Sequence, residues 1–167
     1  MISGAYLGPL VLETVHQAAK DELFSEIGCQ RILALKELTT KDVNDFLYEP
    51  KTGENPLSRV LTERSDSLAY LDFSAMYDLI DRMITRSAKL TAINLSAAVI
   101  KSGKGLKPEK PVCIVAEGTT FFRMKDFQPK VEAFLTNYLV TQKGRFYEII
   151  SVENATLIGA AIAGLTN

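Results

Sequence analysis

Histidine and cysteine are scarce in this chain, no charge sign dominates, and long apolar runs are missing. The single histidine, His16, has no cysteine or second histidine near it in sequence. It reads as a surface or packing residue, not as a metal ligand or a general base. Two cysteines, Cys29 and Cys113, make neither a metal-binding set nor a disulfide framework. Cys113 stands in an apolar run, where a free thiol behaves as a small hydrophobe. Reduced thiols of this kind fit a cytoplasmic protein. Lys and Arg number 19 against 20 Asp and Glu, a formal net charge of −1. No global field therefore draws the chain to nucleic acid or to an anionic membrane, and neither is expected as a partner. The short basic stretches, Lys101 to Gly105 and Lys107 to Lys110, are broken by Gly, Pro and Glu and read as solvated loops. No charged segment followed by an apolar core opens the chain, and no apolar run reaches ~18 residues, so neither a signal peptide nor a membrane span is expected.

What is present is the composition of a globular protein. Of 167 residues, 47% are hydrophobic and 23% charged, enough for one domain over residues 1–167 with its own core. Apolar residues from Leu7 to Phe24 follow helical spacing, with Pro9 tolerable in the first turn. Gly28 is a plausible stop in the break from Asp21 to Gln30. Thr40 is the expected N-cap of a short helix that carries Val43, Phe46 and Leu47 inward. Glu49 to Pro56 is a turn-rich connector. The longest helix is expected from about Asp72 to Ser102, on an inner stripe of Met76, Leu79, Ile80, Met83, Ile84, Leu90, Ile93, Ala97 and Ile100. Its second half is apolar nearly all round, which predicts burial on most faces against a sheet. Gly103 and Gly105 end it.

The last third reads as strand, helix, strand, helix. Val112 to Ala116 is an apolar strand, and a helix from about Phe127 to Val140 follows, with Asp126 as N-cap. Arg145 to Val152 is the second strand, and Ala155 to Leu165 is a helix of small residues. The class is α/β, helix-rich, and the strand–helix–strand unit should be a right-handed parallel crossover. Between the first strand and its helix lies Glu117-Gly118-Thr119-Thr120: an acid, a residue with no side chain, then two hydroxyls. Ligands of open α/β sheets settle at the carboxyl ends of strands, and glycine lets backbone and ligand approach. The same residues fit an ordinary strand-to-loop turn. If the strands are parallel neighbours, Glu117 to Thr120 and Glu153 to Thr156 emerge at one sheet edge, a reasonable wall for a phosphorylated or polar ligand.

Two segments together resemble a known family. Met1-Ile2-Ser3-Gly4-Ala5-Tyr6-Leu7-Gly8 is similar to the MISGxYLGE segment of the hexokinases. The stretch from Asn94 through Lys101-Ser102-Gly103-Lys104-Gly105 to Phe121 resembles their long helix followed by the adenosine-motif strand. Ser151 to Gly164 looks like their second connecting segment. The resemblance spans essentially the whole chain in the expected order.

That resemblance implies an actin-like, ribonuclease-H-like ATPase fold, of which this chain would be the C-terminal portion of the large domain. It implies transfer of the γ-phosphate of MgATP to the 6-hydroxyl of a hexose such as glucose, as in glycolysis, with ATP and Mg2+ as cofactors. Gly4 and Ala5 match positions near the ATP phosphates; Glu117, Gly118, Thr119 and Thr120 match the turn beside the adenosine. Glu117 stands where many relatives have aspartate, Pro9 where they have glutamate, and Glu153 to Leu157 where they have a Gly-Ser-Gly-rich helix start. The family's first phosphate loop, its sugar-binding segment and its catalytic Asn-Asp pair lie before the MISG segment, so the small domain and catalytic half are expected in a missing N-terminal part. No catalytic residue and no metal ligand is assigned within this chain. Asp21, Asp42, Asp45, Asp66, Asp72, Asp78, Asp81 and Asp126 read as caps and solvated helix faces. The chain alone is expected to be inactive, with self-association where the long helix is uncovered. The alternative reading is a non-catalytic nucleotide-binding or interaction module that pairs with a separate N-terminal half.

Overall fold

The computed structural model describes residues 4–50, 54–62 and 67–166. Met1, Ile2 and Ser3 of the MISG segment, part of the connector, and Asp66 lie outside the described residues. The chain divides into two compact units, residues 1–87 and 88–167. The boundary falls inside a helix.

The first unit holds α1 (Leu7–Lys20), α2 (Glu26–Leu33), α3 (Thr40–Tyr48), α4 (Pro56–Thr62) and the start of α5 (Ser67–Lys101). The sequence places Leu7, Leu10, Val11, Thr14, Val15 and Ala18 on the inner stripe of α1; the helix buries Leu7, Val11, Leu12, Val15 and Ala19 instead and leaves Leu10 exposed, so the stripe is turned toward Leu12 and Ala19. Gly8 lets α1 lie directly on the backbone of Leu38 to Thr40: a Cβ there would come within 2.5 Å of the Thr39 carbonyl carbon and 2.7 Å of the Thr40 nitrogen. The Gly8 N–H donates to the Thr40 hydroxyl at 3.1 Å. Thr40 is thus taken by α1, and the cap of α3 moves one residue back to Thr39. Thr39 and Asp42 close a reciprocal capping box. Val43, Phe46 and Leu47 point inward as their spacing predicts, and Phe46 stacks on Phe73 of α5 with ring centroids 5.7 Å apart.

Gly28 does not stop a helix; it is the third residue of α2. Ser25 caps this helix, accepting from the Gly28 N–H at 3.2 Å. Asp72 of α5 accepts from the Ser25 N–H at 2.7 Å and from the Ser25 hydroxyl. A Cβ on Gly28 would stand 2.5 Å from a carboxylate oxygen of Asp72, so glycine is required here for close approach. Asp72 is 4% exposed, a buried structural acid and not part of a solvated face. Sequence spacing alone does not reveal this, because its partner lies 47 residues away.

The second unit holds the end of α5, β1 (Val112–Ala116), α6 (Thr119–Arg123), α7 (Phe127–Leu135), a π-helical segment (Thr136–Gln142), β2 (Tyr147–Ser151) and α8 (Ala155–Thr166). The strands pair in parallel, Val112 opposite Tyr147 and Ala116 opposite Ser151. Gly103 and Gly105 take positive φ after α5, as expected of residues that end a helix. The Arg145 guanidinium binds the carbonyls of Gly103 and Lys104 at 3.1 and 3.0 Å. Phe146 N–H donates to the Gly105 carbonyl at 2.8 Å, tying the turn to the start of β2.

Three expectations are corrected in this unit. The second half of α5 buries its small-residue side, Ala88, Ala92, Ser96 and Val99, while Leu90, Ile93, Ala97 and Ile100 are exposed. Asp126 does not cap α7 through its side chain; it adopts a left-handed conformation with φ 56°. Neither β1 nor α8 is a core element. No β1 residue is buried: Cys113 and Val115 are exposed and Val112, Ile114 and Ala116 partly so, and α8 leaves Leu157 at 70% and Leu165 at 88% exposure. The core of this unit is carried by Val99, Met124, Phe127, Val131, Leu135 and Leu139.

Replacing Gly8 or Gly28 by alanine forces backbone or a buried carboxylate aside and should cost about 1–3 kcal/mol. Urea denaturation should show a lower midpoint with an unchanged slope for both variants. An unchanged midpoint would contradict the packing described.

Candidate functional site

Parallel pairing brings the carboxyl ends of β1 and β2 to one edge, and the chain leaves both strands there. After β1 comes Glu117 and then Gly118, at φ 108° and ψ 143°, a region L side chains rarely adopt. After β2 comes Asn154 at φ 56°, immediately before α8. Thr156, in the first turn of α8, meets Glu117: the carboxylate accepts from the Thr156 N–H at 3.2 Å and from its hydroxyl at 2.6 Å. A carboxylate at a helix N-terminus satisfies an otherwise unpaired amide and complements the helix dipole.

This contact decides what the edge can hold. With Glu117 already seated on the first turn of α8, a second anion placed there would meet a negative charge. Of the phosphorylated or polar ligand expected at this edge, the helix start itself suits a neutral, hydroxyl-bearing group better than a phosphate. An open groove of about 600 Å3 runs from this contact along α8. Val115, Val152, Ile158 and Ile162 make it apolar, and Glu117 and Thr156 supply its polar end. Flat apolar walls with one acceptor suit a ring that carries hydroxyl groups.

The sequence-derived site residues fall in two places. Glu117, Gly118, Thr119 and Thr120 are together in the second unit, where Glu117 lines the groove and the other three lead into α6. No heavy atom lies within 4 Å of a Cβ built on Gly118, so its backbone is open to approach and only its φ resists a side chain. Gly4 and Ala5 are exposed in the turn before α1, in the first unit. The sequence puts Thr156 at the same edge but does not reveal its pairing with Glu117, which depends on strand register. Departure from a glycine-rich helix start was the one available signal, since a threonine offers a hydroxyl where glycine offers none.

A family model described as Hexokinase matches residues 1–166. The chain belongs to the hexokinase family. Hexokinase-7 of Oryza sativa subsp. japonica is 22% identical over 169 aligned positions, which cover 97% of this chain and 36% of that protein. The chain therefore spans little more than a third of the length of this curated hexokinase relative. Family membership makes the chain kin to phosphate-transferring kinases. Among the described residues no helix is long and apolar enough to cross a membrane.

Glu117→Ala should leave the Thr156 N–H and hydroxyl without their acceptor and fray the first turn of α8. The expected cost is about 0.5–2 kcal/mol, visible as faster amide hydrogen exchange at Thr156 than in the parent. Equal exchange in both proteins would show that the Glu117 contact does not hold the turn.

Proposed function

We propose that this chain is the C-terminal portion of a hexokinase large domain, of actin-like ATPase type, and that its strand-end edge forms the adenosine side of the MgATP cleft. The observation that carries this reading is the Glu117–Thr156 contact at the carboxyl ends of parallel strands, the place where open α/β sheets receive ligands. Gly118 offers exposed backbone beside it, and Val115, Ile158 and Ile162 offer apolar surface. In this reading the adenine ring lies along the groove and a ribose hydroxyl donates to Glu117. Thr119 and Thr120 stand beside the nucleoside. Gly4 and Ala5 serve the phosphates, and Mg2+ enters on those phosphates, as a cation that keeps its waters commonly does.

Phosphoryl transfer to a hexose needs a carboxylate to take the hydroxyl proton and donors to hold the transferring phosphoryl group. In this proposal those groups come from the N-terminal part of the same protein. The uncovered strands agree with that: parallel sheets are ordinarily covered on both faces, and a two-stranded one lacks the area to stand alone. The chain alone then binds nucleotide weakly and transfers nothing. The complete enzyme acts on a hexose such as glucose in the cytoplasm.

Two measurements test this. The isolated chain should show no hexose-dependent ADP release in a coupled assay, and turnover would overturn the assignment of catalysis to another segment. Calorimetry at millimolar ATP should show weak binding that Gly118→Val abolishes, through the strain of a β-branched residue at positive φ, about 1–3 kcal/mol. Absence of binding by the parent, or equal binding by a folded Gly118→Val variant, would place the nucleotide elsewhere.

A further inference from the structure

The exposed side of α5 forms one wall of a second groove, of about 380 Å3, whose other wall is α7 and the π-helical segment. Ile93, Ala97 and Ile100 face Phe134 and Tyr138 across it. Ile93 is 53% exposed, so the groove presents apolar surface that this unit leaves uncovered. Its charge is one-sided. From Lys89 to Lys101 the sequence has no carboxylate, nor does the segment from Thr136 to Lys143. Lys89 lines the groove at one end. Lys101 follows Ile100 at the other, and the Lys143 ammonium stands 5.4 Å from the centroid of the Tyr138 ring. Asn137 and Gln142 add amides to the lining.

We propose that this groove docks an amphipathic acidic segment of a partner protein, with apolar side chains in the groove and Asp or Glu on the lysine rim. The fit is one of shape and sign: apolar anchors at helical spacing fill a concave apolar seam, and flanking carboxylates meet Lys89, Lys101 and Lys143. An anionic membrane is met by protruding apolar residues, and this surface is concave. Single-stranded nucleic acid stacks its bases on open aromatic faces, and here the Lys143 ammonium stands over the Tyr138 ring, 5.4 Å from its centroid. The groove is distinct from the strand-end edge that carries the proposed nucleotide site: none of its lining residues is shared with it.

The test uses the 167-residue chain and a fluorescein-labelled peptide with Leu and Phe at i, i+3, i+4 and i+7 and Glu elsewhere, read by fluorescence anisotropy. Saturable binding is expected, weakening as salt rises. Ile93→Asp, and separately the triple variant Lys89→Glu/Lys101→Glu/Lys143→Glu, should each raise Kd about tenfold or more. All four positions are exposed, and circular dichroism confirms that the variants fold. No binding by the parent, equal binding by the variants, or equal binding of a polyglutamate peptide without apolar residues would each overturn the proposal. So would preference for phosphatidylserine vesicles or single-stranded RNA over the peptide.

Discussion

Parallel pairing of β1 with β2 is the constraint on which the second unit depends. Two parallel strands cannot be joined by a tight turn; the chain must cross back the length of the sheet, which takes a dozen or more residues. Here that crossover carries α6, α7 and the π-helical segment. Register aligns Ala116 with Ser151, and a slip of one residue would turn every side chain of one strand to the opposite face. The meeting of Glu117 with Thr156 follows from that alignment. At the other end, the same pairing brings the glycine turn after α5 against Arg145 and Phe146, where backbone and guanidinium hydrogen bonds hold it.

A sheet held this way is only half of an ordinary design. Both strands keep their faces at least partly open, and α8 offers Leu157, Ile158, Ile162 and Leu165 to solvent. Apolar area of this extent calls for cover. The first unit differs: its helices bury their stripes against one another, Gly8 lets α1 lie on the backbone of Leu38 to Thr40, and Gly28 leaves room for the Asp72 carboxylate.

Glu117 illustrates how one side chain can have two possible tasks. As a cap it satisfies the Thr156 amide; as part of a cleft it accepts hydroxyl donors. Both follow from a carboxylate at a helix start, and the first restricts the second, because an occupied helix N-terminus no longer attracts phosphate. In the proposed function the edge takes the nucleoside end of a nucleotide.

Much of the local structure was legible in the residues alone. The helix at α1, the inward residues of α3, the glycines that end α5 and the bounds of β1 follow from periodicity and turn chemistry, which act over a few neighbours. The family was legible too, through MISGxYLG and the order of the later segments. Contacts between distant segments were not. Thr40 reads as a cap but is taken by Gly8, 32 residues away. Gly28 reads as a stop but makes room for Asp72. The second half of α5 reads as buried by its isoleucines, yet it packs its alanines inward, because small side chains let the neighbouring elements approach. Sequence by itself determined α1, α3, most of α5, both strands, α7 and α8, the turn at Gly118 and the family, but not the short helices α2, α4 and α6. Only the tertiary structure decided which faces are covered and that Glu117 rests on Thr156, since burial and register depend on what the rest of the chain brings alongside.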